Sequence, residues 1–473
     1  MTKIVVFGAG AYYHNRKNYI LPDIRIIAFI DNNYKLHGKE LDGVPVIGPD
    51  DIHQISYDKI LLMSKKENAI EMKRQLLDLG ICAQKIYDWE QFYDEMYCGS
   101  FKFYCGNNVI LENRKKVLII STGLNYNGGS LVIGYAAQVL QNCGYNVMLA
   151  APGGNRKLIN EMVQAGINIM ICPTLPNLHK EELFWIQQFD IVLVNVFQMI
   201  SCACEISRMK PVLWWIHEPS ELFDDILHRF NEYADIDKMS EINIYAVSEI
   251  ARRNFNDYFP QRIKKILGFG IPDNSGENID RSNHKKMIFA VIGNVEPRKA
   301  QDILAQAVLL LDRKDKEEAE FWMIGKISEN EYGKKIQELA LQDSSIQILG
   351  EQTRKEIQKK YADIDVVVCP SLEETVSIAI MEGMMYGKVC LASDVIGMAD
   401  YIENGKNGFI CKTKDSIDLS EKIKWIIRNQ NKLEEIRRNA RKTYEAYFTM
   451  DKFADKLKEA IEDTVRDYCV RGN

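Results

Sequence analysis

The same local pattern occurs three times along the chain: a short run of β-branched and apolar residues leads directly into a glycine-containing turn. The runs begin at residues 3, 116 and 287 and read KIVVFGAG, KVLIISTG and MIFAVIGN. A strand buried on both faces of a parallel sheet reads as a continuous apolar run, and its helix begins beyond its carboxyl end. Strands that alternate with helices predict parallel α/β sheets, so we interpret the chain as three Rossmann-like units.

The length of 473 residues agrees with several units, because a single hydrophobic core does not usually grow that large. We expect an accessory domain over 1–112, a second domain over 116–278 and a third over 279–449, with a looser linker over 96–114. Helices are predicted at 66–79, 130–143 and 453–468. Strands are predicted at 4–7, 25–30, 44–47, 59–63, 117–121, 145–150, 167–171, 191–195, 211–216, 242–247, 288–292, 321–324, 346–349, 366–368 and 389–392.

Composition excludes several classes of protein. The formal net charge is −6, which argues against nucleic acid as the main partner because phosphate binding needs a basic surface. The eleven cysteines form no CxxC pair, so we expect reduced thiols rather than a zinc site. The chain begins directly with a strand, and its longest apolar run contains Asp190, Asn195 and Gln198. We therefore expect a cytoplasmic protein without a signal peptide or a membrane span.

The most informative segment is 369–401, CPSLEETVSIAIMEGMMYGKVCLASDVIGMADY. A predicted strand ends before Pro370, a loop contains Glu374, and a helix with Ser377 as its cap contains Glu382. Ligands of open parallel sheets bind beyond the carboxyl ends of the strands, and the N–H groups of a helix N-terminus suit a diphosphate. A carboxylate on the loop can meet hydroxyl groups of a ligand, and one further into the helix can accept from a ribose.

The segment resembles the signature of retaining glycosyltransferases of the GT-B fold, most closely family 4, in which it reads roughly PSxxExFGxxxxEAMAxGxPVxAS. The matching residues are Pro370, Ser371, Glu374, Glu382, Met384, Gly387, Ala392 and Ser393. Val376 and Ser377 replace the usual aromatic residue and glycine, and Gly383 replaces an alanine. Because Ser377 and Gly383 are small, we expect the backbone to remain accessible to phosphates.

The resemblance extends over about residues 116–470. The turn 127–130, which contains Gly129, is similar to a glycine turn of the family, and His217 stands where the family has a catalytic-site histidine. Residues 293–302 (GNVEPRKAQD) resemble the family turn that contains a diphosphate-binding lysine, here Lys299. The arginine expected after Gly293 is Asn294, and we hypothesise that Arg298 supplies the missing cation.

The resemblance implies a GT-B fold, two Rossmann-like domains facing across a cleft, preceded here by a small Rossmann-like domain. Residues 450–473 would cross back to the second domain. The implied reaction moves a sugar, with retention and without a metal, from a nucleoside-diphosphate sugar (a UDP-sugar) to a glycan or lipid-linked acceptor in cell-surface polysaccharide synthesis. The implied catalytic residues are His217 and Glu374; the implied donor-binding residues are Gly129, Gly293, Arg298, Lys299, Thr375, Val376, Ser377, Ile378 and Glu382.

Other interpretations of the same residues remain open. The chain could be a sugar-nucleotide epimerase of the GT-B fold or a non-catalytic partner of another transferase, which Asn294 would favour. The triplets 235–237 and 363–365 have the Asp-x-Asp form of a metal site, but the second simply precedes a strand. The basic residues Arg437, Arg438, Arg441 and Lys442 favour either an anionic membrane surface at the inner face or a solvated helix face.

The first domain permits two interpretations. Gly8, Gly10 and Asp31 have the spacing of a dinucleotide fingerprint, which would bind NAD(P) or another nucleotide, but Tyr13 replaces the third glycine. The stretch from residue 26 to residue 52 resembles small domains attached to nucleotide-sugar enzymes and acyltransferases. We favour a module for docking or for homo-oligomerisation.

Overall fold

In a computed structural model, the described residues are 2–14, 16–17, 20, 24–97, 101–106, 112–173, 175–177, 180–230, 237, 239–263, 265–276 and 285–471. The strands are β1 Thr2–Phe7, β2 Ile24–Ile30, β3 Glu40–Leu41, β4 Val44–Ile47, β5 Lys59–Leu62, β6 Ile86–Asp88, β7 Lys102–Tyr104, β8 Lys116–Ile120, β9 Asn146–Ala151, β10 Asn168–Ile171, β11 Ile191–Asn195, β12 Val212–Ile216, β13 Asn243–Ala246, β14 Lys265–Ile266, β15 Met287–Ile292, β16 Ala319–Ile324, β17 Ile346–Gly350, β18 Val366–Cys369, β19 Val389–Ser393 and β20 Phe409–Cys411.

The α-helices are α1 Ala11–His14, α2 Lys66–Asp78, α3 Trp89–Tyr97, α4 Gly128–Asn142, α5 Arg156–Gln164, α6 Ile200–Ser207, α7 Phe223–Arg229, α8 Glu249–Tyr258, α9 Gln301–Leu309, α10 Arg313–Glu318, α11 Glu331–Leu341, α12 Arg354–Lys360, α13 Ile378–Met385, α14 Ser416–Arg428, α15 Leu433–Tyr447 and α16 Met450–Arg471. The chain divides into two compact units. Unit 1 contains Met1–Val109, Ser121–Tyr126 and Met148–Leu178, and unit 2 contains Ile110–Ile120, Asn127–Val147 and His179–Asn473.

Unit 1 contains a six-stranded sheet in the order β3-β4-β2-β1-β5-β6. All its pairs are parallel except β3 with β4. The central strand β1 is buried on both faces: Val5 and Phe7 pack into one cluster with Leu76 of α2, and Ile4 and Val6 into another. This explains why β1 reads as an uninterrupted apolar run.

Unit 1 also contains β7, β10 and residues 148–151 of β9. β10 pairs in parallel with β9 and antiparallel with β7, with Ile169 opposite Tyr104. Since β7 lies within residues 96–114, the prediction of a looser linker there was wrong for residues 102–104. The β-prone aromatic residues Phe103 and Tyr104 suit a short edge strand, although three residues are too few to show an alternating pattern.

Unit 2 contains five consecutive parallel strands in the order β14-β13-β12-β11-β8. Every residue of β11 and β12 is buried. The terminal helix α16 packs against α4 and β12, where the rings of Phe453 and Trp215 lie 5.8 Å apart. This packing holds the carboxyl end of β12 in place, and His217 is the residue that follows it.

Unit 2 also contains a six-stranded parallel sheet in the order β17-β16-β15-β18-β19-β20. The strand order reverses between β15 and β18, and in open parallel sheets such a switch point forms a crevice beyond the carboxyl ends. Gly293 follows β15, and Pro370 follows β18. Two of the segments singled out in the sequence therefore meet at this switch point.

The predicted strands and the helices at 66–79, 130–143 and 453–468 are confirmed, with ends that differ by at most three residues. The strands that sequence reasoning missed are the short ones, β3, β6, β7, β14 and β20, of two or three residues each. The division at residues 112 and 279 stays a prediction. Among the described residues, no helix combines the length and the apolar character needed to span a bilayer.

Candidate functional site

An ion pair forms at the switch point between β15 and β18. The Nζ of Lys299, in the turn after β15, lies 2.6 Å from Oε1 of Glu374, in the loop after β18. Both side chains are largely shielded, with 17% and 10% of their areas exposed. A cation and a carboxylate predicted from separate motifs are thus neighbours in space, and a phosphate could bind to the same ammonium group.

The turn between Gly293 and Lys299 depends on backbone conformations that side chains disfavour. Gly293 has φ +148°, a backbone conformation that residues with a Cβ rarely adopt. Ala300, which replaces the glycine of the family pattern, has φ +53° and ψ +40°, in the left-handed region. L-residues with a Cβ pay an energetic cost there, so the turn is strained at this residue.

Three protein groups hold the carboxylate of Glu374. Besides Lys299, the hydroxyl of Ser371 donates to Oε2 at 3.1 Å, and the thiol of Cys369 donates to it at 3.3 Å. Burial raises the pKa of the Cys369 thiol to about 11, so the sulfur keeps its proton at neutral pH. Glu374 is only 8% exposed, and its orientation is fixed before any ligand binds.

The helix α13 begins next to this carboxylate. Ser377 is its N-cap and accepts from the N–H of Ile380, so the predicted cap is confirmed. Val376 and Ile378 flank the cap and are half-buried. The first N–H groups of a helix have no partner within the helix and attract anions, so this end suits a diphosphate.

Gly383 has a different function from the expected one. A Cβ at this position would lie 2.9 Å from the side chain of Val367 and 3.0 Å from Sγ of Cys390. The expectation that its small size keeps the backbone open to phosphates was wrong, since Gly383 faces strands β18 and β19. Its size lets α13 pack closely on the sheet.

Glu382, on α13, is buried and already has partners. Arg354 forms an ion pair with its Oε1, and the hydroxyl of Tyr361 donates to its Oε2 at 3.0 Å. Sequence reasoning missed both partners. Arg354 is the first residue of the short helix α12, and Tyr361 directly follows that helix. A ribose bound to Glu382 would have to share this carboxylate with Arg354.

The glycine turn at the start of α4 also approaches α13. Asn127 caps α4 by accepting from the N–H of Ser130 at 2.9 Å. A Cβ at Gly128 would lie 3.2 Å from Cδ1 of Ile378, so the first turns of the two helices approach one another. Gly129 follows in the first turn of α4 and is half-buried.

His217 comes directly after β12. Its ring packs edge-on against Trp215 at a centroid distance of 4.4 Å, and burial lowers its pKa to about 3. Its Nε2 is buried and makes no hydrogen bond to any described residue. The backbone oxygen of His217 accepts from Oγ1 of Thr375 at 2.8 Å, which ties this strand end to the Glu374 loop. The site therefore contains a neutral imidazole with an unused polar atom.

Glu218 is a buried residue that sequence reasoning did not identify. It accepts from the N–H groups of Phe197 and His217, and burial raises its pKa to about 7. The carboxylate thereby fixes the loop after β11, where Val196 has φ +71°. A carboxylate two residues after the apolar strand β12 was the signal that could have identified it.

Arg298 has different partners from the expected phosphate. Its guanidinium pairs with Glu296 at 2.7 Å, lies 3.5 Å from Glu221, and donates to the backbone oxygen of Glu373 at 3.0 Å. Asn294 is exposed. The substitution of Arg298 for the missing arginine stays a prediction, but its guanidinium is already bound by three groups.

Two residues of the basic cluster have structural partners. Arg437 pairs with Asp365, and Arg441 pairs with Asp273 and Glu445, so two residues of the basic cluster stabilise the fold. Asp235, of the first Asp-x-Asp triplet, lies outside the described residues. Within the described ranges, no group of three or more His, Cys, Asp and Glu side chains is arranged to hold a metal ion.

In unit 1, Gly8 follows β1 with φ +106°. Asp31 accepts from the N–H of Ala9 at 2.9 Å through Oδ2 and from that of Asn33 at 2.8 Å through Oδ1. The following helix α1, after Gly10, has only four residues. The three fingerprint residues are therefore close together, but the carboxylate that would bind a ribose is bound to backbone instead.

Family comparisons match three consecutive parts of the chain. Residues 113–257 match the family described as glycosyl-transferase family 4, and residues 276–443 match glycosyl transferases group 1. Residues 1–87 match a family described as C2185-like, N-terminal.

Two curated relatives are similar to the chain over part of its length. An uncharacterized glycosyltransferase of Methanocaldococcus jannaschii is 26% identical over 36% of this chain and 47% of its own. The N,N'-diacetylbacillosaminyl-diphospho-undecaprenol alpha-1,3-N-acetylgalactosaminyltransferase of Campylobacter jejuni is 29% identical over 34% of this chain and 40% of its own. The chain thus matches less than half of the length of either relative.

Solved structures share the fold. HepE of Anabaena, in complex with UDP and glucose, superposes with a TM-score of 0.62 and 16% identity, over 74% of this chain and 100% of that one. At this identity the likeness concerns the fold alone. The two sheets of unit 2, the matched families and this neighbour together give the GT-B fold.

Proposed function

We propose that the chain is a glycosyltransferase that transfers a sugar with retention from a UDP-sugar. The matches of residues 113–257 to glycosyl-transferase family 4 and of residues 276–443 to glycosyl transferases group 1 support this proposal. The observation that carries the proposal is the contact of 2.6 Å between Lys299 and Glu374 at the switch point of the third sheet. A diphosphate and a sugar hydroxyl are the natural ligands of such a pair at the start of a helix.

The chemistry follows from what each group can bind. When the bond between the sugar and the diphosphate breaks, negative charge develops on the leaving diphosphate. Lys299 and the N-terminus of α13 would stabilise that charge, and fixed donors of this kind contribute a few kcal/mol each. Because these two groups already supply positive potential, we propose that no metal or other cofactor is required.

The donor sugar would lie between Glu374 and His217. Glu374, whose orientation is fixed by Ser371 and Cys369, would accept from sugar hydroxyls. The imidazole of His217 is neutral because burial lowers its pKa to about 3. Its Nε2, which has no hydrogen-bond partner among the described residues, would bind a hydroxyl of the sugar. Glu382 would accept from the ribose hydroxyls while it remains paired with Arg354.

For the acceptor we propose a glycan or lipid-linked sugar of the cell surface. The support is the name of the Campylobacter jejuni relative, which specifies a diphospho-undecaprenol acceptor. The test is an assay with a panel of UDP-sugars and a polyprenyl-diphosphate-linked sugar, in which UDP release is measured and the anomeric configuration of the product is read by NMR.

We expect UDP release that depends on the acceptor, retention at the anomeric carbon, and an unchanged rate in EDTA. Inversion, or a rate abolished by EDTA and restored by a divalent cation, would contradict the mechanism. Interconversion of UDP-sugar epimers without an acceptor would instead identify an epimerase. If no donor is consumed or bound, the chain is a non-catalytic partner.

For the accessory domain, residues 1–112, we propose docking or homo-oligomerisation rather than binding of NAD(P). The engagement of both oxygens of Asp31 by backbone N–H groups supports this. A thermal-shift titration of the full chain with NADH and with NADPH tests it, because a ligand that binds the folded state raises the melting temperature. A rise that is lost in Asp31→Ala would overturn the docking proposal.

A further inference from the structure

The loop that contains Glu374 is attached to the strand end that contains His217. We call residues 371–377 the Glu374 loop and residues 217–221 the His217 segment; both belong to unit 2. The Glu374 loop follows the third sheet, whereas the His217 segment follows β12. Contacts between these two segments set the distance between the two proposed catalytic groups.

Glu373 supplies most of this attachment. Its Oε1 accepts from the N–H of Ser220 at 2.6 Å and from Nδ2 of Asn254 at 2.7 Å. Its Oε2 accepts from the hydroxyl of Ser220 at 2.7 Å. Hydrogen bonds to an ionised carboxylate are roughly twice as strong as neutral ones. Three such bonds on one side chain are more than a chance surface contact would provide.

The residues around Glu373 contribute to the same attachment. Thr375, on the other side of Glu374, donates to the backbone oxygen of His217 at 2.8 Å. Arg298 donates to the backbone oxygen of Glu373 at 3.0 Å and lies 3.5 Å from Glu221 of the His217 segment. Glu374 therefore lies between two residues, Glu373 and Thr375, that are bound to the His217 segment. Its ion-pair partner Lys299 follows a third such residue, Arg298, in the sequence.

We propose that Glu373 is a positioning residue that holds the Glu374 loop against the His217 segment, so that one donor sugar can meet Glu374 and His217 together. This inference rests on the proposed function, because it assumes that both groups contact the same sugar. The carboxylate of Glu373 is occupied by Ser220 and Asn254, so we assign it no contact with the donor. Its contribution is to the geometry of the assembled site, and errors of about 1 Å in such geometry can cost about 100-fold in rate.

A kinetic test compares Glu373→Ala with Glu373→Gln. Lys299, Glu374 and α13 remain in place in both variants, so we expect the KM for the donor to change less than threefold. The kcat should fall about tenfold or more in Glu373→Ala, because the two groups no longer meet the sugar together. Glu373→Gln should be intermediate, since its amide oxygen can still accept from the N–H of Ser220.

A double-mutant comparison tests the partner. Asn254→Ala should lower kcat, but Glu373→Ala/Asn254→Ala should be no slower than Glu373→Ala alone, because the two residues act through one contact. The matched control is Glu403→Ala, an exposed glutamate in the same unit that pairs with Lys406, and we expect it to leave kcat unchanged. A normal kcat in Glu373→Ala, or purely multiplicative losses in the double variant, would overturn the proposal.

Amide hydrogen exchange gives a readout that does not require activity. The N–H of Ser220 donates to Glu373, so it should exchange faster in Glu373→Ala than in the wild type, while the melting temperature stays within about 1–2 °C because no core residue is changed. Equal exchange in both proteins would show that the contact does not form. If Ser220 is protected but no sugar is transferred, the contact stands and the proposed function fails.

Discussion

In unit 1, β1 leads through Gly8 into a turn in which the N–H of Ala9 donates to the carboxylate of Asp31. In unit 2, β15 leads through Gly293 into a turn that directs Lys299 to the carboxylate of Glu374. Both glycines have positive φ, and both strands lie at the centre of a parallel sheet. The two turns differ in the partner of the carboxylate, which is the protein backbone in unit 1 and a side-chain cation in unit 2.

This difference has a physical consequence. The carboxylate of Asp31 already accepts from two backbone N–H groups. A ligand hydroxyl that displaced them would exchange one set of hydrogen bonds for another, with little gain in free energy. An ammonium group that shares a carboxylate can still bind an anion, because Lys299 has three N–H donors. We therefore infer that the turn after β1 stabilises its domain, whereas the turn after β15 binds the donor.

The largest effect is expected from removing the cation in unit 2. Lys299→Ala should lower kcat by about 100- to 1000-fold, because the leaving diphosphate loses a preorganised charge partner. Glu374→Gln should be impaired to a similar degree if its carboxylate binds the sugar. Rates of UDP release measure both effects.

The control for Lys299 is Lys335→Ala, which removes a lysine of the same unit that pairs with Asp302. We expect its rate to stay within twofold of the wild type. Comparable losses in both lysine variants would mean that Lys299 acts only on folding, and the distinction between the two turns would then disappear.

A smaller loss is expected at His217. His217→Ala should lower kcat by about 10- to 100-fold, the effect expected when one buried hydrogen-bonding group is lost. Because burial lowers its pKa to about 3, His217 is neutral throughout the range from pH 5 to pH 9. The wild-type rate should therefore show no step near pH 6.5 that depends on this residue.

The exposed His228 is the matched control, and His228→Ala should leave the rate unchanged. A step near pH 6.5 in the wild-type profile that disappears in His217→Ala would contradict the buried, neutral state of the ring. Activity assays across this range, with folding checked at each pH, decide the point.

Much of this site could be predicted from the sequence, and the part that could not has a common cause. The places of Glu374 beyond a strand end and of Ser377 at a helix cap followed from local rules. Lys299 was identified through the resemblance of its turn to a family pattern. Arg354, Tyr361 and Glu373 acquire their importance from partners more than twenty residues away, and no spacing indicates such pairs. Gly383 was misinterpreted for the same reason, since its constraint comes from Val367 and Cys390.

In unit 1, Asp31→Ala should affect stability and not catalysis. It removes the acceptor of the N–H groups of Ala9 and Asn33, which should lower local stability by about 1–3 kcal/mol. Amide exchange at Ala9 should become faster, while kcat and the KM for the donor remain unchanged. A raised KM in this variant would show that the turn after β1 binds substrate, and the proposed difference between the two turns would be wrong.

The smallest effect is expected at Ala300, which occupies the left-handed region with φ +53°. Ala300→Gly removes the steric cost of a Cβ in that conformation, but it increases the entropy of the unfolded chain. We expect the free energy of unfolding to rise by about 0.5–1 kcal/mol, measured by urea denaturation. Ala305→Gly, at a buried position inside α9, is the matched control and should lower it by about 1 kcal/mol. If both variants are destabilised equally, the turn that positions Lys299 is relaxed at Ala300 rather than strained.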